Sequence, residues 1–224
     1  MADCFLKRHQ SFEFCTDGII GMFDMDTIDI ANARWINKID GGNEINLYNS
    51  FTTTEDLGHT ALQISSTGCG EIVMTTQPAT YYVVARAVTK ATNWSAFIGK
   101  RMTYNTSAYL YDYATYFDSG SSAPQPMQGE NFSTTKVTAP CDKYHVICRY
   151  KGGLIIDGEI IINTQDISTQ YYGEGMELHR LYRKGWISGA WTANYLFVAF
   201  ANDEHTQTQA IQNCKYLMRK YNIS

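Results

Sequence analysis

The carboxylates of this chain are the first residues that could carry chemistry. Retaining hydrolysis of a glycoside needs two carboxyl groups about 5 Å apart, and alternate positions along one strand provide that spacing. No Glu-x-Asp-x-x-Glu triplet of this kind occurs in the sequence. The nearest pair, Asp157 and Glu159, flanks Gly158, and Asp-Gly is a tight-turn dipeptide. Turn formation explains Asp157, so we predict no catalytic residue and expect that the protein is not an enzyme.

Aromatic residues are the second candidates, because sugars pack against aromatic faces and bond to tyrosine hydroxyls. The candidate carbohydrate-binding residues form two clusters, which are Tyr109, Tyr111 and Tyr113 in the first and Tyr171, Tyr172, Trp186 and Trp191 in the second. The first cluster alternates with period 2, as one face of a strand requires. That face also fits an oligomer interface, where tyrosine is enriched, or the core. All three interpretations stay open.

Acidic residues, histidines and cysteines could also bind a metal ion. Asp24, Asp26 and Asp29 could supply oxygen ligands to calcium. Aspartate also bonds to nearby backbone amides in turns, and we favour that role, so no metal site and no cofactor is predicted. The histidines show no zinc-binding spacing with one another or with the cysteines. A Gly-x-Ser-x-Gly nucleophile elbow is also missing from the sequence.

Composition limits the classes of partner. The net charge of −4 shows that basic residues are not in excess, so we expect no nucleic acid partner. No apolar run reaches the about 20 residues that span a bilayer, and the start of the chain lacks a secretory signal pattern. The six cysteines are scattered and form no CxxC motif, which favours buried or free thiols in a reducing compartment. We therefore expect the protein in a virion or in the cytoplasm of the producing cell.

The elements that must position these residues are mostly short strands. The clearest signal is a run of three strands, Tyr144–Tyr150, Leu154–Ile156 and Glu159–Asn163, separated by Gly-Gly and Asp-Gly turns; such turns predict an antiparallel meander. Further strands are predicted at Ile19–Phe23, Ile45–Tyr48, Ala61–Ile64, Glu71–Thr75, Tyr81–Val88, Trp94–Ile98, Ser107–Tyr113, Met176–Tyr182 and Tyr195–Phe200. The segment Phe117–Gly129 is predicted to be an exposed loop.

One helix is predicted at the end. Thr206-Gln-Thr-Gln209 matches a capping box, and apolar residues then recur at helical spacing up to Tyr221. Ten or more short strands with one helix favour an all-β fold, a two-sheet antiparallel sandwich. We predict an N-terminal extension at residues 1–17 and a single domain at 18–224.

The order of motifs resembles the laminin-G-like branch of the concanavalin A-like lectin and glucanase superfamily. Gly18–Asp24 is similar to the opening Gly-Leu-Val-x-Trp-Tyr-Asp strand of that family, and Trp35, Lys38, Gly42 and Asn43 are similar to the loop that follows. The closing Tyr216–Tyr221 resembles a Tyr-Leu-x-x-Lys-Tyr ending. The resemblance spans residues 18–223 and implies a jelly-roll sandwich with a C-terminal helix.

We therefore expect a non-enzymatic, lectin-like structural or adhesive component of a larger particle, most plausibly a phage virion protein of a capsid, fibre or tail. Its expected partners are further copies of itself or other virion proteins, together with a cell-surface glycan. This expectation rests on the missing signal, the missing catalytic carboxylates and a single domain that fills the chain. The alternatives are a free-standing carbohydrate-binding lectin and a degenerate glycoside hydrolase.

Overall fold

The computed structural model describes residues 13–65, 68–76, 78–88, 97–100, 115–117, 126–128, 143–150, 153–163, 175–179, 182–183, 186–187 and 192–224. Within these ranges the strand residues 99–100, 115–117, 126–128, 161–163, 182–183 and 186–187 are described by their backbone alone.

The described elements are eighteen strands, one short 3-10 turn and one α-helix. In chain order the strands are β1 Ile19–Asp24, β2 Ile28–Asp29, β3 Arg34–Trp35, β4 Ile45–Tyr48, β5 Phe51–Asp56, β6 His59–Ser65, β7 Cys69–Ile72, β8 Thr80–Ala87, β9 Ile98–Lys100, β10 Thr115–Phe117, β11 Pro126–Gln128, β12 His145–Tyr150, β13 Gly153–Ile156, β14 Glu159–Asn163, β15 Met176–Leu178, β16 Tyr182–Arg183, β17 Trp186–Ile187 and β18 Thr192–Ala201. The 3-10 turn is Met25–Thr27, and the helix α1 is Gln207–Lys220.

The larger sheet has eight strands, in the order β14-β13-β12-β8-β18-β6-β5 with β1 also paired to β18. Strand β18 is its centre. Along one side β18 pairs with β8, and along the other it pairs first with β6 and then with β1. The smaller sheet has six strands, in the order β2-β3-β4-β7-β15-β9. All described pairings are antiparallel, as are those in the two separate hairpins β10–β11 and β16–β17.

The two sheets enclose one apolar core. Trp35 of the smaller sheet and Phe23 and Phe200 of the larger sheet are fully buried there. Their rings meet edge to face, with centroids 6.1 Å apart for Phe23 and Trp35 and 6.3 Å apart for Phe23 and Phe200. The buried indole N–H of Trp35 donates to the carbonyl of Asp24 over 2.7 Å, as a buried donor requires. The architecture is therefore a β-sandwich, as the sequence predicted.

The helix closes the opposite face of the larger sheet. Its apolar stripe packs on outward-facing residues of the strands below, and the buried members of this second core include Tyr82, Val84, Val146, Cys148, Ala199, Ala210, Cys214 and Leu217. The predicted capping box is confirmed, because the Thr206 hydroxyl accepts from Gln209 N and the Gln209 side chain accepts from Thr206 N. Residues 13–17 lie beside the helix, where Phe14 packs against Tyr82, Phe197 and Tyr216.

Local turn signals located most strands correctly. The predicted meander is confirmed as β12–β13–β14, and its Asp157-Gly158 turn has φ values of +51° and +80°, as a type I′ hairpin requires. Strand β7 begins and ends earlier than predicted, at Cys69 and Ile72. The predicted strand Ser107–Tyr113 and residues 94–96 of the strand at Trp94–Ile98 lie outside the described residues.

Two expectations were wrong. The segment Phe117–Gly129 is not loop throughout, since Pro126–Gln128 pairs with Thr115–Phe117; Pro126 begins its strand, which is a position that proline tolerates. Strand β5 was missed, because Phe51-Thr-Thr-Thr-Glu-Asp is too polar to show an apolar alternation.

A partly buried ion pair anchors the β5–β6 hairpin to the larger sheet. The Asp56 carboxylate accepts both Nε and Nη2 of Arg86, at 2.9 and 2.8 Å. It also accepts the Tyr144 hydroxyl at 2.8 Å and the Asn194 amide at 2.7 Å. Burial raises the pKa of Asp56, but the hydrogen bonds from Asn194, Arg86 and Tyr144 outweigh burial and hold it below the usual value. The hairpin is thus fixed by side chains of three other segments.

The described cysteines carry no disulfide. Cys15, Cys69, Cys148 and Cys214 are free thiols, and the last three are buried, which confirms the thiol prediction for these four residues. Burial raises the pKa of the Cys148 thiol well above its usual value, so this thiol is not a reactive thiolate. Within the described ranges, the helix is too short and too polar to cross a membrane.

Candidate functional site

The outer face of the smaller sheet carries several polar side chains in register. Side chains alternate between the two faces of a strand, and β4 shows this directly. Its Ile45 and Leu47 are buried in the core, whereas Asn46 and Tyr48 are exposed. Polar side chains therefore collect on the face that points away from the core.

These polar side chains stand in register across four strands. Arg34 of β3 pairs with Asn46 of β4, Asn46 pairs with Glu71 of β7, and Glu71 pairs with Glu177 of β15. Directly opposite residues on antiparallel strands project to the same face with Cβ atoms about 4.5–5.5 Å apart. The four residues thus form one continuous line of hydrogen-bonding groups, which we call the polar row (Arg34, Asn46, Glu71 and Glu177).

An ion-pair group closes one end of the polar row. Arg34 Nη1 donates to Glu44 Oε2 over 2.9 Å, and its Nη2 lies 3.7 Å from Asp29 Oδ2. The Asp29 carboxylate also accepts the side chain and the backbone N–H of Asn32, which lower its pKa. These contacts hold the guanidinium in place while it stays partly exposed to solvent.

Two glutamates lie at the other end of the polar row. Glu177 is only 4% exposed, and Glu71 is half-buried. The Cys69 thiol contacts Glu71 Oε1 over 4.0 Å. Carboxylate oxygens accept hydrogen bonds from donors such as sugar hydroxyl groups.

An exposed aromatic ring adjoins the polar row. Tyr48 is 43% exposed and stands opposite Cys69, the residue two positions before Glu71 on β7. Val73, on the same outer side, is 50% exposed, and its carbonyl accepts the Asn43 amide over 2.7 Å. An aromatic ring beside several orienting polar groups is the usual composition of a small-molecule site.

The structure does not test the candidate residues that the sequence singled out. Tyr109, Tyr111, Tyr113, Tyr171, Tyr172 and Trp191 lie outside the described residues, and Trp186 belongs to β17, where only the backbone is described. The polar row was missed for a simple reason. Its two glutamates come from strands that are distant in sequence, and no local signal indicates that β7 and β15 are neighbours.

The three aspartates that could supply oxygen ligands to calcium are held by other side chains, and Lys38 lies within 3.5 Å of Asp24 as well as beside Asp26. Asp24 caps the 3-10 turn and accepts from Lys220 and from the Tyr221 hydroxyl. Asp26 pairs with Lys38 at 2.8 Å, and Asp29 pairs with Asn32 and Arg34. Among the residues that the structure describes, no group of three or more histidine, cysteine or acidic side chains is placed to hold a metal ion.

The fold has counterparts among solved structures at low sequence identity. A Trypanosoma rangeli sialidase in complex with 2,3-difluorosialic acid, a covalent intermediate, matches with a TM-score of 0.66 and 10% identity, over 90% of this chain and 33% of its own. The binding domain of botulinum neurotoxin DC in complex with rat synaptotagmin II matches with a TM-score of 0.62 and 8% identity, over 91% and 52%. No family model matches the chain, and no curated protein matches it in sequence.

A third structure concerns cell entry of botulinum neurotoxin type C, which depends on interaction with two ganglioside molecules. It matches with a TM-score of 0.60 and 7% identity, over 89% of this chain and 51% of its own. The chain thus spans about a third of the sialidase chain and about half of the toxin chains. At these identities the likeness concerns the fold.

The matches correct one prediction. The sequence argument excluded an enzyme because no acidic triplet lies on one strand, yet about a third of each matched sialidase chain has this fold. That exclusion was wrong, because acidic residues can also be paired from different strands, as Glu71 and Glu177 are.

Proposed function

We propose that the protein is a lectin-like module that binds glycans on the outer face of its smaller sheet. The observation that carries the proposal is the polar row, which lines up Arg34, Asn46, Glu71 and Glu177 in register beside the exposed ring of Tyr48. The proposal includes the concanavalin A-like jelly roll of laminin-G-like type. The sandwich architecture and the capped closing helix support that assignment.

The charge of the site narrows the class of glycan. In the described part of this face, Asp29 and Glu44 pair with the guanidinium of Arg34, and Glu71 and Glu177 add two further carboxylates along the polar row. Carboxylates accept hydrogen bonds from hydroxyl groups but repel acidic sugars. Neutral sugars are therefore the proposed ligands. Sialic acid and gangliosides should be tested beside the neutral sugars. One structurally similar protein is a sialidase in complex with sialic acid, and another is a toxin that interacts with gangliosides.

The test is a glycan array followed by titration calorimetry on the best ligand. Tyr48→Ala and Asn46→Ala should each weaken binding about tenfold, because each removes about 1.4 kcal/mol of contact. Lys215→Ala, on the exposed side of the helix, should bind like the unmodified protein. Unchanged affinity in both site variants would place the glycan elsewhere, and the aromatic candidates Tyr111 and Trp191 would then be substituted.

A finer proposal concerns the setting of the module. We propose that it serves as a structural or adhesive part of a larger particle such as a phage virion, in which many copies would strengthen weak individual contacts. Mass spectrometry of purified particles should detect the chain at a constant ratio to the other particle proteins. If the chain is lost when the particles are purified, this role is contradicted.

A second function is favoured by the opposed glutamates. Glu71 and Glu177 stand directly opposite each other on neighbouring strands, so their Cβ atoms are about 4.5–5.5 Å apart. Retaining glycosidases need two carboxyl groups about 5–5.5 Å apart, a separation that rotation of these two side chains would have to provide. Reducing-end release from a polysaccharide panel tests this function. Activity lost in both Glu71→Gln and Glu177→Gln, but kept in Lys215→Ala, would support hydrolysis. Binding without any release would leave the lectin function alone.

A further inference from the structure

The edge of the larger sheet at β5 is open. Strand β5 ends the sheet, and no other described strand pairs with its free side. Its Thr52, Thr53 and Glu55 are exposed. Proteins usually protect such edges with proline, lysine or a β-bulge. Strand β5 has none of these, and its register with β6 runs uninterrupted from Phe51 to Asp56. The opposite edge, β14, does have a register shift against β13.

Hairpin geometry shows which backbone groups face outward. Leu57 and Gly58 form the two-residue turn, with φ values of +50° and +80°, so the flanking Asp56 and His59 form a hydrogen-bonded pair. Hydrogen-bonded pairs alternate with non-bonded pairs along an antiparallel ladder. The N–H and C=O groups of Phe51, Thr53 and Glu55 therefore point away from β6. The Thr53 carbonyl accepts its neighbour Thr52 Oγ1 at 3.2 Å, which leaves its second lone pair available.

The open edge is also held rigid. Asp56, the last residue of β5, is fixed by Arg86, Tyr144 and Asn194. A strand that is already ordered loses little conformational entropy when it binds. An open, straight and fixed edge is a surface that can add a strand from another chain.

We propose that two copies of this chain associate by antiparallel pairing of β5 with β5. The sequence Phe51-Thr-Thr-Thr-Glu55 selects one register for this pairing, centred on Thr53. In that register the outward groups of Thr53 meet those of Thr53 in the other copy, and Phe51 meets Glu55. Thr52 then lies opposite Thr54, which is a favourable cross-strand pair. A register shifted by two residues, centred on Glu55, would bring the two Glu55 side chains close together. It would also form fewer backbone hydrogen bonds between the two copies of β5.

The symmetry of this dimer has a functional consequence. Antiparallel edge pairing places the two-fold axis perpendicular to the sheet. Corresponding faces of the two copies therefore lie on the same side of the joined sheet. The two polar rows would then point in the same direction and could engage one glycan-coated surface together. One short strand pair is smaller than a standard interface, so the dimer should be weak and dependent on concentration.

Sedimentation equilibrium over a wide range of protein concentration tests the proposal with two matched variants. Thr53→Pro removes an outward N–H that β6 does not use, so the fold should survive while the edge pairing is lost. Thr53→Val keeps the N–H and a β-branched shape. The unmodified protein and Thr53→Val should show the same monomer–dimer equilibrium, and Thr53→Pro should stay monomeric with an unchanged circular dichroism spectrum.

Amide hydrogen exchange identifies the surface that is used. Protection of the Phe51, Thr53 and Glu55 amides should rise with protein concentration, while that of Thr52 and Thr54, already bonded to β6, should not. A monomer at all concentrations overturns the proposal, as does a trimer, or a dimer that Thr53→Pro leaves intact. These results are independent of glycan binding by single copies, which calorimetry measures separately.

Discussion

The two sheets differ in how many of their faces are buried. In the larger sheet, β8 is buried at seven of its eight positions and β18 at nine of ten, because the smaller sheet covers one face and the helix covers the other. In the smaller sheet, β4 alternates between buried and exposed residues. A sheet covered on both faces consists of nearly continuous apolar strands, whereas a sheet with one open face can present polar groups. The larger sheet is therefore covered on both faces, whereas the smaller sheet is exposed on its outer side at β4 and buried there at Glu177 of β15.

The strongest test of this comparison is the same substitution on a covered and on an open surface. Val84→Asp would put a carboxylate under the helix, where Val84 is fully buried, at an expected cost of more than about 5 kcal/mol. Val73→Asp, on the outer side of the smaller sheet, should change the free energy of unfolding by less than about 0.5 kcal/mol. Urea unfolding monitored by circular dichroism measures both. Similar losses in the two variants would mean that the smaller sheet is covered too.

The next effect concerns the anchor of the β5–β6 hairpin. Asp56→Ala leaves the half-buried Arg86 guanidinium without its carboxylate, and we expect a loss of about 3 kcal/mol in the free energy of unfolding. Glu55→Ala, the exposed neighbour, should cost about 0.5 kcal/mol or less. Equal losses of unfolding free energy in the two variants would contradict this expectation, because Asp56 would then contribute no more than the exposed Glu55.

The same anchor predicts an acid dependence of stability. The pKa of Asp56 is held below its usual value in the folded protein, so its contribution is full above the unfolded pKa of about 3.9 and is lost as the pH falls through the folded pKa. The free energy of unfolding should therefore decrease below about pH 4. The decrease should be smaller in Asp56→Asn, because the asparagine does not titrate. An identical pH profile in this variant would assign the acid sensitivity to other carboxyl groups.

The smallest expected effect concerns the helix that covers the larger sheet. Thr206→Ala removes the acceptor for Gln209 N and should cost about 1 kcal/mol, whereas Thr206→Ser keeps a hydroxyl and should cost less. Faster amide exchange in the first helical turn would accompany the loss. If both variants unfold like the unmodified protein, packing alone determines where the helix begins.

Local features of the sequence predicted much of the fold. Asp157-Gly158 indicated the meander because only a few residue types accept positive φ at a tight turn, and Thr206 with Gln209 indicated the helix start for a similarly local reason. The apolar runs Tyr81–Val88 and Tyr195–Phe200 predicted the strands β8 and β18, which the structure shows to be covered on both faces. The two-sheet antiparallel arrangement with its final helix is confirmed.

The candidate site could not be predicted in this way. The polar row depends on which strands are neighbours, and β7 pairs with both β4 and β15 although Met176 is far from Ile72 in sequence. Strand β5 was missed because threonines outnumber apolar residues in it. The exclusion of an enzyme considered only carboxylates along one strand, whereas the sheet pairs Glu71 with Glu177 from two strands. The site prediction considered aromatic residues, of which none has a described side chain.

The central position of β18 has a consequence for synthesis. Strands β1, β6 and β8 leave the ribosome early, yet each of them pairs with β18, whose residues 192–201 are made after all the other described strands. A nascent chain therefore carries unpaired strand edges and uncovered apolar faces until β18 is made, and such segments are prone to aggregate. The larger sheet can be completed only after Ala201 has emerged, and its second face is covered only once the helix follows. Pauses placed late in translation, or chaperone binding to the growing chain, should therefore affect the yield of folded protein more than changes near its start.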